Sequence, residues 1–203
     1  MVKAIVFDIG GVLIGLNLDR CIRAFREILG YERITQLLDP YHQKGIYGDM
    51  EGGLISADEF RRQVLAESRP GCTGADVDRC MGALLNGMEP DTVETVKALG
   101  ARYPLYLLSN NNPIAMRLIN EEFRRNGIEP ETAFRGQFIS SEMRLLKPSR
   151  EIYDAAVRGI GLPAGEILFI DDNLTNVQAA REAGLQARQY LPGTRLSLLL
   201  ADC

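Results

Sequence analysis

The chain predicts an α/β fold, a doubly wound parallel sheet interrupted by a helical insertion. Three observations carry that prediction. Residues 4–7, 105–108 and 167–170 are continuous apolar runs of strand length, the pattern of strands buried on both faces. Helical periodicity separates such runs from residue 89 onward. Each run also ends in polar residues able to act on a phosphate: Asp8, Ser109-Asn110 and Asp171-Asp172. Ligands of open parallel sheets bind beyond the carboxyl ends of the strands, so these residues are expected at one edge.

Taken in order, the first strand feeds Asp8 into Ile9-Gly10-Gly11, a turn with a permissive backbone, and then a brief extended piece through Ile14. Residues 15–88 are helical in pattern and contain no strong strand signal. Leu18, Ile22, Phe25, Ile28 and Leu29 recur at helical spacing, and Ser56-Ala57-Asp58-Glu59 reads as a capping box ahead of Phe60, Val64 and Leu65. The glycine-rich residues 44–53 between them read as a loop. We therefore assign 1–14 and 89–203 to the core and 15–88 to a small helical insertion.

In the second half, Pro90-Asp91 opens a helix carrying Val93, Val96 and Leu99 ahead of the second strand. Asn112-Pro113 opens another through Phe123, with proline at a tolerated first position. A short strand is expected around 137–140, and Lys147-Pro148 is expected to open a helix carrying Ile152, Tyr153 and Val157. The strand at 167–170, a helix over 175–183 ended by Gly184, and a weak strand at 185–189 complete the set.

The chain has 203 residues, enough for one α/β core with an insertion. Its 23 basic and 27 acidic side chains leave a net charge of −4, which argues against nucleic acid or an anionic membrane as partner. No run reaches membrane-span length. The opening apolar stretch is short and interrupted by Asp8, so a cytoplasmic location is expected. Cys21, Cys72, Cys80 and Cys203 form no C-x-x-C pair and His42 is the only histidine, which argues against zinc and for reduced thiols.

Asp8, leaving a strand into a glycine turn, suits a nucleophile or a metal ligand, although a lone aspartate there more commonly caps a turn. Asp171-Asp172 alone is also good turn chemistry. Together they form an oxygen-only donor set suited to magnesium, and the cation would relieve their mutual repulsion. Ser109 and Asn110, between a strand and a helix start, suit phosphate oxygens, with N-capping as the plain alternative. Lys147 at a helix start opposes the macrodipole, a mild cost unless an anion lies between them.

In this order and context the residues resemble the haloacid dehalogenase-like hydrolase superfamily. Phe7-Asp8-Ile9-Gly10-Gly11-Val12 is similar to its first motif and Leu108-Ser109-Asn110 to its second. Lys147-Pro148 is similar to its third, and Asp171-Asp172-Asn173-Leu174-Thr175-Asn176 to its fourth. The insertion matches the family's helical cap called C1, and the phrasing is closest to the branch of sugar-phosphate phosphatases and the phosphatase domain of soluble epoxide hydrolases. The resemblance implies that Asp8 attacks phosphorus and forms an aspartyl-phosphate. It implies that Asp8, Asp172 and the Gly10 carbonyl hold Mg²⁺ with Asp171 in support, and that Asn176 orders the loop. It implies further that Ser109 and Lys147, with Asn110, bind the phosphoryl oxygens of a small phosphorylated metabolite.

One departure matters. The family's phosphatases usually carry a second aspartate two residues after the nucleophile as acid and base, and here that position is Gly10. Losing such a group typically costs about 10²–10⁴ in rate. Three consequences are open: a preference for good leaving groups such as anomeric sugar phosphates, a proton from water or a cap residue such as His42, or little hydrolysis at all. The sequence favours the first, since the other three motifs are intact. Competing functions are a dehalogenase of the same superfamily, which needs no magnesium, and a non-catalytic phosphate-binding or regulatory protein. Arg61-Arg62 and Arg124-Arg125 read as solvated helix faces; Tyr47 and Met50 read as residues of a loop that Gly45, Gly48 and Gly52 mark as mobile or tightly turned, with contact to substrate as the alternative.

Overall fold

A computed structural model of the chain describes residues 1–39 and 44–203, so His42 lies outside the described residues. Five strands form one sheet: β1 (Ala4–Phe7), β2 (Leu105–Ser109), β3 (Phe134–Ile139), β4 (Ile167–Asp171) and β5 (Gln186–Gln189). All pairings are parallel and the order is β3-β2-β1-β4-β5. The strand order reverses between β1 and β4, which places the crevice of a doubly wound sheet beside Asp8 and Asp171.

The three central strands are apolar throughout because both faces are covered. Ile5, Phe7, Leu107, Leu168 and Ile170 pack toward one side, and Val6, Leu108 and Phe169 toward the other. Between β1 and β2 the chain forms α1 (Leu18–Ala24), a π-helical turn (Phe25–Leu29), α2 (Ile34–Leu37), α3 (Gly45–Glu51), α4 (Ala57–Ala66), α5 (Gly74–Gly82) and α6 (Pro90–Gly100). After β2 come α7 (Pro113–Arg125) and α8 (Pro130–Ala133); after β3, α9 (Ser140–Met143) and α10 (Arg150–Ile160). Helix α11 (Leu174–Glu182) follows β4, and α12 (Leu196–Leu199) follows β5. Helices α6 and α7 cover the first face through Val93, Val96, Ile119 and Phe123. Helices α10 and α11 cover the second through Ile152, Tyr153 and Val177.

Helices α1 to α5 bury a cluster of their own, built on Phe25, Tyr47, Met50, Phe60, Val64 and Val77, which meets the rest at Ile114 of α7. Residues 44–53, expected as a loop, contain α3. Glycines cost about 1 kcal/mol each in a helix, but Tyr47 and Met50, three residues apart on one face, are both fully buried in this cluster. Tyr47 meets the Phe60 ring edge-on at 5.8 Å. Tertiary packing therefore overrides local propensity.

The N-terminus of α4 is capped as expected on one side only. Ser56 Oγ accepts the Glu59 amide at 3.1 Å, but the Glu59 carboxylate pairs with Arg62 and Gln63 instead of reaching back. The complete capping box is on α5, between Thr73 and Asp76. Arg61, expected to be solvated, instead grips Asp78 of α5 through two bonds of 2.7 and 3.1 Å, and Arg117 of α7 reaches the same carboxylate at 3.2 Å. Helix α10 begins at Arg150, three residues after Lys147, so Lys147 does not stand in its first turn. No described helix is long and apolar enough to cross a membrane.

Candidate active site at the carboxyl edge of the sheet

The first three strands to be recognised in the sequence are neighbours, and their ends converge. Asp8 follows β1 directly, and its amide donates to the Ile170 carbonyl of β4 at 2.8 Å. Its Oδ1 accepts the Ile9 amide at 2.7 Å. Ser109 closes β2, and Asp171 closes β4. Lys147 reaches between them: its Nζ lies 3.0 Å from Asp8 Oδ1 and 2.6 Å from Asp171 Oδ2, and the residue is only 3% exposed. An ammonium this deeply buried persists because two carboxylates face it.

Asp171 is fully engaged. Its oxygens accept from Lys147, from the Asn173 amide at 2.8 Å and from Asn176 Nδ2 at 3.1 and 3.2 Å. Asn176 is in turn held through its carbonyl by the Tyr153 hydroxyl at 3.0 Å. Asp171 thus orients Lys147, which places it behind the donor set in which it was expected. Asn110 departs from expectation as well. Its amide spans the Lys147 backbone, donating to the carbonyl at 2.9 Å and accepting from the N–H at 2.8 Å. That side chain is spent on locating Lys147, whereas the sequence reading gave it to phosphate.

One oxygen each of Asp8, Asp171 and Asp172 lies within 4.8 Å of the others. Burial pushes the Asp8 carboxyl up to about 6, against the pull of Lys147 and with Asp171 adding to the rise. Burial likewise pushes Asp172 up to about 7, with Asp8 and Asp171 adding to it. For Lys147, burial works against the charge, but Asp171 and Asp8 outweigh it and hold its pKa above the ordinary lysine range. The cluster is therefore short of positive charge, the condition a cation relieves.

The loop geometry fits such an ion. Gly11 has φ +77°, and a Cβ there would stand 2.4 Å from Asp172 Oδ2, so only glycine lets this loop close on that carboxylate. The grouped oxygens of Asp8, Asp171 and Asp172 are an oxygen-only set suited to a small hard divalent cation.

A cavity of about 100 Å³ opens over Asp8, bounded by Ser109, Lys147 and Asp172 on the core side. Leu16, Tyr47, Leu84 and Glu51 bound it from the insertion. Met50 is not among its lining residues, being fully buried in the insertion's cluster. Two residues escaped the sequence reading: Glu51 in this cavity, and Ser140, which bonds to the Glu51 carbonyl at 2.6 Å. No periodicity or spacing marks either, because their partners lie far away in sequence.

A parallel sheet that gathers an aspartate, a serine, a lysine and an aspartate pair at its switch point defines a hydrolase of the Rossmann-like class, with an acidic, cation-accepting site. The haloacid dehalogenase-like hydrolase family matches residues 2–184, and the chain belongs to that family. It is 32% identical over 190 residues to a D-ribitol-5-phosphate phosphatase of Bacteroides thetaiotaomicron, covering 93% of this chain and 92% of that one. A solved family enzyme from the same organism, in complex with magnesium and inorganic phosphate, superposes with a TM-score of 0.90 at 30% identity, over 98% of this chain and 99% of that one. An L-2-haloacid dehalogenase of Xanthobacter autotrophicus, at 21% identity and a TM-score of 0.66 over 100% of this chain and 84% of its own, shares the fold. The family and fold inferred from the four motifs are thereby confirmed.

Proposed function

We propose that the protein is a magnesium-dependent phosphomonoesterase acting on a small polyol or sugar phosphate. The observation that carries this is the buried Asp8–Lys147–Asp171 chain, with Asp172 and Ser109 beside it at the switch point of the sheet. The phosphatase similar to it over nearly its whole length acts on a pentitol phosphate, and the magnesium-and-phosphate complex of its structural neighbour supports the same chemistry.

In this reading Asp8 is the nucleophile, and its carboxylate forms the bond to phosphorus as the ester oxygen departs. Lys147 and the Ser109 hydroxyl bind the phosphoryl oxygens and neutralise charge that would otherwise repel Asp8. Asp171, Asn176 and Asn110 are positioning residues, since each acts through Lys147 or the loop around it. Asp8, Asp172 and the Gly10 carbonyl would hold magnesium, which supplies charge neutralisation at the transferring phosphoryl group. Residues 15–88 form the cap that roofs the site and selects the ester.

The test is a panel of phosphorylated metabolites with and without Mg²⁺, run on the wild type and on Asp8→Asn. Expected is Mg²⁺-dependent release of phosphate by the wild type, no measurable turnover by Asp8→Asn, and a wild-type peptide carrying one phosphoryl group on Asp8 after acid quench. Absence of hydrolysis by the wild type, or full activity in Asp8→Asn, overturns the reading.

A further inference from the structure

Position 10 leaves the core side of the site without a proton donor. A Cβ on Gly10 would stand 3.1 Å from Leu16 Cδ1, so a side chain there would crowd an apolar neighbour. Among the described residues lining the cavity over Asp8, carboxyl groups come from Asp8, Asp172 and Glu51. Asp8 is tied to Lys147, and Asp172 belongs to the cation's donor set. Glu51 remains, and no step described so far uses it.

Glu51 ends α3 and lines both the cavity over Asp8 and an adjoining one of about 370 Å³, which shares Asn110 and Lys147 with the first. Its backbone is fastened to the core. The Ser140 hydroxyl donates to the Glu51 carbonyl at 2.6 Å and accepts the Asn111 amide at 2.9 Å, linking Glu51 to the loop that carries Ser109. Two residues on, Gly53 has φ +68°, and a Cβ there would lie 2.2 Å from the Ser141 carbonyl oxygen. The insertion and the core therefore meet closely at the Glu51 backbone and again two residues beyond it.

We propose that Glu51 is the acid–base residue of this enzyme, serving from the cap in place of the side chain that Gly10 lacks. In the first step a bond forms between an Asp8 carboxylate oxygen and phosphorus while the ester P–O bond breaks. The Glu51 proton passes to the departing oxygen, and a neutral alcohol leaves. In the second step a water oxygen bonds to phosphorus as the Asp8–phosphorus bond breaks. The water's proton passes to the Glu51 carboxylate, which returns both carboxyl groups to their starting states.

In the cation-free protein, burial, with the charge of Asp8 adding and Lys147 opposing, pushes the Glu51 carboxyl up to about 8. The charged groups around it are Asp8, Asp172 and Lys147 across the first cavity, and Asp49 and Arg144 in the second. A donor of this kind removes the restriction to good leaving groups that Gly10 alone suggests.

The inference rests on the phosphatase reading, and its test separates the two. Wild type, Glu51→Gln and Glu51→Asp are compared on a Mg²⁺-supported series running from 4-nitrophenyl phosphate to simple alkyl phosphates. Expected for Glu51→Gln is a loss in kcat/KM of about 10²–10⁴ on alkyl esters. The loss should shrink steadily as the leaving group becomes less basic, and phosphorylated Asp8 should accumulate on acid quench. Glu51→Asp should recover part of the alkyl activity, and unfolding curves of both variants should match the wild type. A loss uniform across the series with no phosphoenzyme build-up, or no loss at all, overturns the proposal while leaving the phosphatase standing. A wild type inert on every ester removes both.

Discussion

On the core side of the cleft, Asp8, Ser109, Lys147 and Asp171 sit at the ends of neighbouring strands or against them, and each is 8% exposed or less. On the insertion side the lining is Tyr47 and Glu51 of α3 with Leu16, Leu84 and Leu85, of which Leu16 and Leu85 pair as an isolated antiparallel bridge outside the helices. The core presents charge that is buried, paired and fixed before any substrate arrives. The insertion presents shape, one phenol and one carboxyl group. Phosphoryl transfer gains from fixed charge at the reacting centre, whereas choice among esters needs a surface that can vary without disturbing that charge. Among the described residues the two meet at Ser140 with Glu51, Gly53 with Ser141, Asp78 with Arg117, and where Ile114 of α7 is buried in the insertion's cluster.

The comparison breaks most severely if the core's charge balance is undone. Lys147→Met leaves Asp8 and Asp171 buried beside each other without their cation, and losing one partner of such a set costs about 3–5 kcal/mol. Urea denaturation in the absence of magnesium should show that loss, together with collapse of activity. A midpoint equal to the wild type would mean that the carboxylates find another partner.

Divalent ions should sharpen the contrast through pH. Asp8 and Asp172 have folded pKa values raised to about 6 and about 7, so both bind protons more tightly folded than unfolded. Their contribution is favourable at low pH and is lost as pH rises through those values, which makes the cation-free protein less stable at pH 8 than at pH 5 on their account. Magnesium needs the ionised forms. At a hundredfold excess over its Kd it should add about 2.7 kcal/mol near pH 8 and far less near pH 5, read as a pH-dependent shift in Tm. An equal shift at both pH values would place the ion away from these carboxylates.

The smallest expected effect is at the seam. Gly53→Ala puts a Cβ at a positive φ and against the Ser141 carbonyl, so it should cost about 1 kcal/mol or somewhat more. It should lower kcat/KM by lifting Glu51 from its place, while the magnesium-dependent rise in Tm stays that of the wild type. A change in magnesium response would show that the seam at Gly53 is coupled to the cation site.

The core was readable from its residues for a local reason. A strand buried on both faces must be apolar over its whole length, and the residue that follows it falls at the edge where ligands bind, so Asp8, Ser109 and Asp171-Asp172 announced both a sheet and a site. Lys147 was legible as an odd cation before a proline, though not as the group joining Asp8 to Asp171. The insertion resisted reading for the opposite reason. Its α3 carries glycines at residues 45 and 48 and is helical because Tyr47 and Met50 are buried by other helices. The pair of hydrogen bonds from Asn110 to the Lys147 backbone spans 37 residues, and the single one from Ser140 to Glu51 spans 89.

By itself, the order of residues determined the family, the parallel sheet and which carboxylates, hydroxyl and lysine gather at its edge, because each is specified within a few residues of a strand. Tertiary structure alone decided that Asn110 and Asp171 hold Lys147, that Leu16 stands beside Gly10, and that Glu51 lines the same cavity as Asp8. Those outcomes depend on burial and on charges brought together from distant segments, and neither quantity exists until the chain has folded.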